Sequence, residues 1–153
     1  MLKKINIQNK RAKYEYILLD KYLAGIVLTG SEIKSIRSSK ASISNSFCEF
    51  NNDNELFIIN MSIEEYDHGS NYNHKPKQSR KLLLNKNELK KLFKEVNNSG
   101  LTIIPLKLFI NENGYAKVQI CLAKGKKLYD KREAIKERDN KRNIDRIKKT
   151  FNK

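Results

Sequence analysis

The chain is poor in the residues that most chemistry needs. It has only two cysteines, Cys48 and Cys121, in separate alternating apolar runs without Cys-x-x-Cys spacing. They read as reduced core or near-core residues, not as a disulfide or a metal pair. The two histidines, His68 and His74, lie six apart with no cysteine or acidic cluster at ligand spacing, which argues against zinc. No apolar run approaches the roughly 20 residues of a membrane helix, and no apolar signal segment follows Met1-Leu2-Lys3-Lys4. A cytoplasmic protein without a membrane partner is therefore expected. Phosphate-loop, nucleophile-elbow and dinucleotide-binding glycine motifs are all missing. Glu64, Glu65 and Asp67 could hold a divalent ion for a nuclease, but adjacent strand residues face opposite ways, so a solvated loop edge is the better reading. The expectation is no enzyme, no catalytic residue, no metal and no cofactor.

Negative charge is also scarce. Against 32 Lys and Arg stand 17 Asp and Glu, a net +15 over 153 residues. Thirteen basic and five acidic residues fall between Lys124 and Lys153, a net +8. The preceding residues hold nineteen basic and twelve acidic, a net +7. Both parts are basic, so domain and tail should both touch a polyanion. The hinge between them is Gly125-Lys126-Lys127-Leu128-Tyr129-Asp130-Lys131-Arg132. A glycine, four cations and one aromatic in eight residues suit RNA, with its phosphates and stackable bases. A solvated charge run is the other reading.

In chain order, residues 1–13 read as a loose basic arm. Alternation at Tyr14, Tyr16 and Leu18 predicts a strand, with Ala24 to Leu28 as its partner. Gly30-Ser31 followed by Glu32 to Arg37 predicts a short helix capped by Ser31. Phe47 to Phe50 and Glu55 to Asn60 form a hairpin around Asn51-Asn52-Asp53-Asn54. The loop from Tyr66 to Ser79 leads into Tyr72, His74, Arg80 and Lys81, a mixture of aromatics and cations suited to unpaired bases; a charged loop beside a barrel is the plainer alternative. After a short strand from Lys81 to Leu84, Asn85 and Glu88 have the spacing of a capping box. Leu89, Leu92, Phe93 and Val96 then line one helical face, and Gly100 closes the helix. Leu101 to Ile110 and Tyr115 to Ala123 make a second hairpin around Asn113-Gly114. Ala116, Val118, Ile120 and Leu122 share its inner face, so Lys117 and Gln119 point outward. The architecture expected is mainly β with accessory helices, an OB-like antiparallel barrel over 14–124. Residues 125–153 form a basic tail whose sparse apolar residues, Ile135, Ile144, Ile147 and Phe151, predict disorder when free and a helix on an anionic surface.

Taken together, several stretches resemble the SmpB (SsrA-binding protein) family. Asn9-Lys10-Arg11-Ala12 and Ala24 through Arg37 look like the family's opening. His74-Lys75-Pro76 with Arg80-Lys81-Leu82-Leu83-Leu84 resembles its middle motif, and Ala123 to Arg132 its most distinctive one. The matches run in order from about residue 9 to 150. The resemblance implies an OB-like RNA-binding adaptor that carries transfer-messenger RNA (tmRNA, SsrA RNA) to stalled ribosomes for trans-translation. The tail then enters the decoding centre and the empty mRNA channel. Implied partners are tmRNA, the stalled ribosome with its small-subunit rRNA, and elongation factor Tu indirectly through alanyl-tmRNA; the protein would act as a monomer.

Carried over by resemblance, Asn9, Lys10, His74, Arg80, Lys81, Leu83, Asn85 and Lys117 are expected to bind tmRNA. Leu83 also reads as core, and Asn85 as a helix cap. Gly125, Lys126, Lys127, Tyr129, Asp130, Lys131, Arg132 and Ile147 are expected at the ribosome, with Tyr129 stacking on an rRNA base and the cations neutralising phosphates. The chain departs from the family pattern at Gln78, Leu23 and Asn140. The alternatives are a ribosomal structural protein whose basic extension threads rRNA, and a metal-dependent nuclease.

Overall fold

The computed structural model describes residues 4–67, 73–126 and 128–151. Its strands and helices alternate as β1 (Asn6–Gln8), α1 (Ala12–Glu15), β2 (Tyr16–Ile26), α2 (Gly30–Arg37), β3 (Ala41–Ser42), β4 (Phe47–Phe50), β5 (Leu56–Ile59), β6 (Ser62–Ile63), β7 (Arg80–Leu83), α3 (Lys86–Ser99), β8 (Thr102–Ile110), β9 (Ala116–Gly125) and α4 (Leu128–Phe151). The pairing order β8-β4-β5-β7-β2-β9 returns to β8, so antiparallel ladders close into a ring. Closure leaves no free edge in the ring itself. The mainly β architecture is the one the alternation predicts.

Two expectations at the N-terminal end are corrected. The supposed loose arm contains β1, which pairs with β8 from Asn6↔Phe109 to Gln8↔Lys107, and Ile5 is buried in the core. The strands expected at Tyr14 to Leu19 and Ala24 to Leu28 do not pair with each other. After the short α1, residues Tyr16–Ile26 form one strand that runs along β9 from Tyr16↔Gly125 to Gly25↔Lys117. The register shifts between Leu18 and Lys21. A bulge absorbs the mismatch and bends the strand, so the polar Asp20-Lys21 break in the apolar pattern marks a bend and not a turn.

The barrel interior is aliphatic. Ile36, Ile43, Leu56, Ile58, Leu82, Leu108, Val118 and Ile120 are fully or almost fully removed from solvent. Ala116, Val118, Ile120 and Leu122 all point inward, as their spacing predicts. The opposite face of β9 is buried in part as well. Cys121 and Ala123 pack with Ala12 and Ile104 in a second cluster under α1. Both cysteines are buried and free, and burial pushes each thiol up in pKa.

Capping fixes the helices. The N-cap of α2 is Thr29, not Ser31. Its hydroxyl accepts from the Glu32 N–H, and the Glu32 carboxylate accepts in return from the Thr29 N–H at 2.9 Å. Thr29 and Glu32 have capping-box spacing, which outranks the adjacent serine. In α3 the Asn85 side chain accepts from the Glu88 N–H at 2.9 Å, and Gly100 ends the helix at φ 61°, a left-handed conformation that suits glycine. The tail, expected to be disordered when free, is the helix α4. Its Arg138 guanidinium lies 4.9 Å from the centre of the Tyr14 ring on α1. A helix-forming composition thus gains a docking contact, while Ile135, Ile144 and Ile147 of the same helix are exposed.

Candidate nucleic-acid interface

Outward-facing residues on β1, β8, β9, β2 and β7 lie in two rungs across the barrel. Pairing sets one rung as Asn6, Phe109, Lys117, Gly25 and Leu83. The next is Gln8, Lys107, Gln119 and Leu23. At the middle of the first rung Gly25 leaves a dip. A Cβ added there would sit 3.5 Å from Leu83 Cβ and 3.7 Å from Lys117 Nζ. Leu83 is 52% exposed and Leu23 53%, high values for leucines on a barrel wall. Lys107 Nζ lies 5.2 Å from the Phe109 ring centre. Apolar faces, an aromatic ring and cations therefore share one surface, which can stack on bases while it neutralises phosphates.

At the end of β7, Asn85 uses its side chain to cap α3, so it is held in place beside Leu83. Lys81 pairs with Glu55 across the sheet, and this pairing lowers the Glu55 pKa. Beyond β1, Asn9 is anchored twice: its backbone N–H donates to Leu106 O at 2.8 Å and its Nδ2 to Pro105 O at 3.1 Å. Lys10 is exposed next to it.

A buried polar knot supports this wall from behind. Arg80 Nε donates to Glu32, Nη1 to Met61 O at 3.0 Å, and Nη2 to Lys75 O and Pro76 O at 3.2 and 3.1 Å. The two side chains are 1% and 2% exposed. Burial pushes the Glu32 carboxyl up, but the Thr29 N–H and the Arg80 guanidinium outweigh it and hold the group below its ordinary value. His74 is buried too. Its Nε2 lies 3.0 and 2.9 Å from Ile63 O and Glu64 O, so that nitrogen carries the proton and donates. Its Nδ1 accepts from the Ser31 hydroxyl at 2.8 Å.

The model of the family described as SmpB protein matches residues 6–150. The chain belongs to the SmpB family. It is 68% identical to the SsrA-binding protein of Flavobacterium psychrophilum over 99% of this chain and 100% of the relative. Against the SsrA-binding protein of Christiangramia forsetii the identity is 64%, over 99% of this chain and 96% of the relative. A solved structure described as "tmRNA-SmpB: a journey to the center of the bacterial ribosome" is 45% identical and superposes with a TM-score of 0.69, covering 86% of this chain and 94% of that one.

Within this SmpB-family fold the residues singled out from the sequence fall into three groups. Leu83 and Lys117 meet at Gly25, with Lys81 on the same face and Asn85 at its margin. Asn9 and Lys10 follow the far end of the same surface. His74 and Arg80 are buried, where they bond Ser31, Ile63 O and Glu64 O, and Glu32, Met61 O, Lys75 O and Pro76 O, respectively. Gln78 reaches the same carboxylate, with Nε2 at 3.4 Å from Glu32 Oε2. Asp67 accepts from Lys40 at 2.5 Å. Tyr72, His68 and Lys127 lie outside the described residues.

At the hinge, Gly125 pairs with Tyr16, and Lys126 donates from its backbone to Glu15 O and from Nζ to Lys13 O, both at 3.0 Å. Tyr129, Asp130 and Lys131 belong to α4, with side chains outside the description. Arg132 and Ile147 are exposed on that helix, Ile147 at 56%. Sequence reasoning missed Asn6, Gln8, Lys107 and Phe109. The alternation of Lys107 and Phe109 with buried Leu108 carried the signal, but the pairing that brings them beside Lys117 is not local.

Proposed function

We propose that this chain is an RNA-binding adaptor of trans-translation. It binds the tRNA-like domain of tmRNA and delivers it to stalled ribosomes, where peptide tagging follows. The observation that carries this reading is the Leu83–Gly25–Lys117 surface in a chain that matches the SmpB family along nearly its whole length. In this reading Leu83, Asn85, Lys117, Lys81, Asn9 and Lys10 face tmRNA. His74 and Arg80 hold that wall from within, and their effect on RNA binding is indirect.

The tail serves the ribosome. Gly125, Lys126, Lys127, Tyr129, Asp130, Lys131 and Arg132 occupy the decoding centre, against small-subunit rRNA. Ile147 sits further along the empty mRNA channel. Elongation factor Tu joins through alanyl-tmRNA and not through a contact of its own. The protein works in the cytoplasm as a monomer, without a cofactor and without a chemical step. A ribosomal structural role is not favoured, since the family match spans body and tail alike.

A gel-shift titration at fixed moderate salt tests the reading, because affinities for RNA mean little without the salt concentration. Clear preference for the tRNA-like domain over an ordinary tRNA is expected. Equal and steeply salt-dependent binding to both would reduce the protein to a general polyanion binder.

A further inference from the structure

The carboxylates are not spread evenly along this basic chain. No lysine or arginine occurs between Lys40 and Lys75, and that stretch holds six of the seventeen acidic residues: Glu49, Asp53, Glu55, Glu64, Glu65 and Asp67. It carries a net −6, against +21 for the remainder of the chain. Its β4–β5 hairpin fills the two ring positions across the barrel from β2 and β9, the middle of the RNA-facing wall. The molecule is therefore polarised, and the side formed by the hairpin repels a polyanion.

The same hairpin exposes apolar surface. Leu56-Phe57-Ile58-Ile59 is an unbroken apolar run, the pattern of a strand covered on both faces. Only one face is covered. Leu56 and Ile58 point into the core and are fully enclosed, whereas Phe57 and Ile59 on the outer face are half-buried. Register sets Phe47 opposite Ile59 and Glu49 opposite Phe57 on that outer face. Phe47 is 38% exposed, and Phe93 on α3 is 37% exposed. Two concavities, of about 420 and 280 Å³, share Glu49 and Phe50 in their walls. Phe47 and Phe93 line the first, and Phe57 and Ile59 the second. Among the described lining residues of both, Glu49 alone carries a charge, and it takes part in none of the ion pairs between described residues. Lys81, next along the rung from Phe57, is paired with Glu55.

We propose that this face docks a basic protein segment, with an apolar side chain seated between Phe47 and Phe93 and a lysine or arginine on Glu49. Aromatic and aliphatic side chains around a nearly uncharged centre are the make-up of a protein–protein interface core. RNA phosphates would meet a carboxylate there and no cation. A basic polypeptide instead finds opposite charge as well as apolar surface to bury. Because the hairpin lies across the ring from β2 and β9, RNA and the protein segment can be held at the same time. The inference goes beyond the RNA-adaptor reading and does not depend on it.

The test is a titration of the full chain with a synthetic peptide of lysine, arginine and serine around a single phenylalanine. Binding is followed by NMR at the backbone amides of Phe47, Glu49, Phe57 and Phe93. The peptide is expected to shift these signals, and alanine in place of its phenylalanine should weaken binding about tenfold. Glu49→Gln and Phe47→Ser, both on the outer face, should each weaken the peptide severalfold while thermal unfolding and affinity for the tRNA-like domain stay native. Equal affinity for the two peptides would overturn the inference, since charge alone would then explain binding. It would also fall if oligouridylate shifted the same amides, or if Glu49→Gln lowered RNA affinity, because the face would then belong to RNA. Concentration-dependent self-association in sedimentation, abolished by Glu49→Gln, would overturn it by making a second copy the occupant. A loss of preference for the tRNA-like domain in the native chain would count against the adaptor reading alone.

Discussion

The barrel and the tail use the same residue types in opposite ways. In the barrel, Arg80 spends its guanidinium on Glu32 and three backbone carbonyls, and the wall it supports is fixed before any partner arrives. In the tail, Arg142 lies exposed on a helix, and Ile144 and Ile147 are 52% and 56% exposed. The barrel owes its shape to enclosed aliphatic residues. The tail helix owes its shape to propensity and to one edge of contact with α1. A rigid wall suits recognition of a folded RNA surface, whereas an open cationic helix can fit itself to a channel lined by phosphates. The difference locates recognition in the first part and adaptability in the second.

Truncation after Ala123 would break the comparison most severely. Tagging in a reconstituted stalled-ribosome assay should vanish, while affinity for the tRNA-like domain stays largely intact. A parallel collapse of RNA affinity would show that the division of labour is wrong.

Next in size is Glu32→Gln. It leaves the Arg80 guanidinium buried without its counter-ion, a change that costs about 3–5 kcal/mol. Thermal unfolding should register the loss with the tail present or absent, because the pair lies wholly in the barrel. The pH dependence has a definite sign. The folded carboxyl is held below its ordinary value, so its stabilising contribution is complete at neutral pH, above the unfolded pKa. It is lost as pH falls through the folded pKa. Acid should therefore destabilise the native chain more steeply than the glutamine variant.

Legibility in the sequence follows the same division. Local elements were readable. The α3 cap, its left-handed glycine and the inward face of β9 rest on spacings within a few residues. Thr29 stands at capping-box spacing from Glu32, and Ser31 beside it offers a competing hydroxyl. Long-range partners were not readable. Nothing near Arg80 says that its carboxylate partner lies 48 positions earlier. The continuity of β2 was hidden for a related reason, since only its pairing with β9 distinguishes a bulge from a turn. The short α1 begins at Ala12 of the opening motif, and its role as a platform for α4 depends on Tyr14 meeting Arg138 far along the chain.

Gly25→Ala has the smallest expected effect on folding and separates packing from recognition most sharply. The added methyl would meet Leu83 and Lys117 at ordinary contact distances, 3.5 and 3.7 Å, and no backbone requires displacement. Removing glycine's freedom from the unfolded chain stabilises a compatible site by about 0.4–1 kcal/mol. The variant should therefore melt no lower than the native protein. The same methyl fills the dip between an exposed leucine and a lysine, where an RNA surface would have to approach closely. Affinity for the tRNA-like domain should drop while the slope of binding against salt stays the same, because no charge has changed. Lys117→Ala is the control, since losing one phosphate contact should flatten that slope by about 0.7–0.9. If Gly25→Ala instead binds the RNA as the native chain does, the dip is only a packing feature, and recognition must centre on the Asn9 end of the surface.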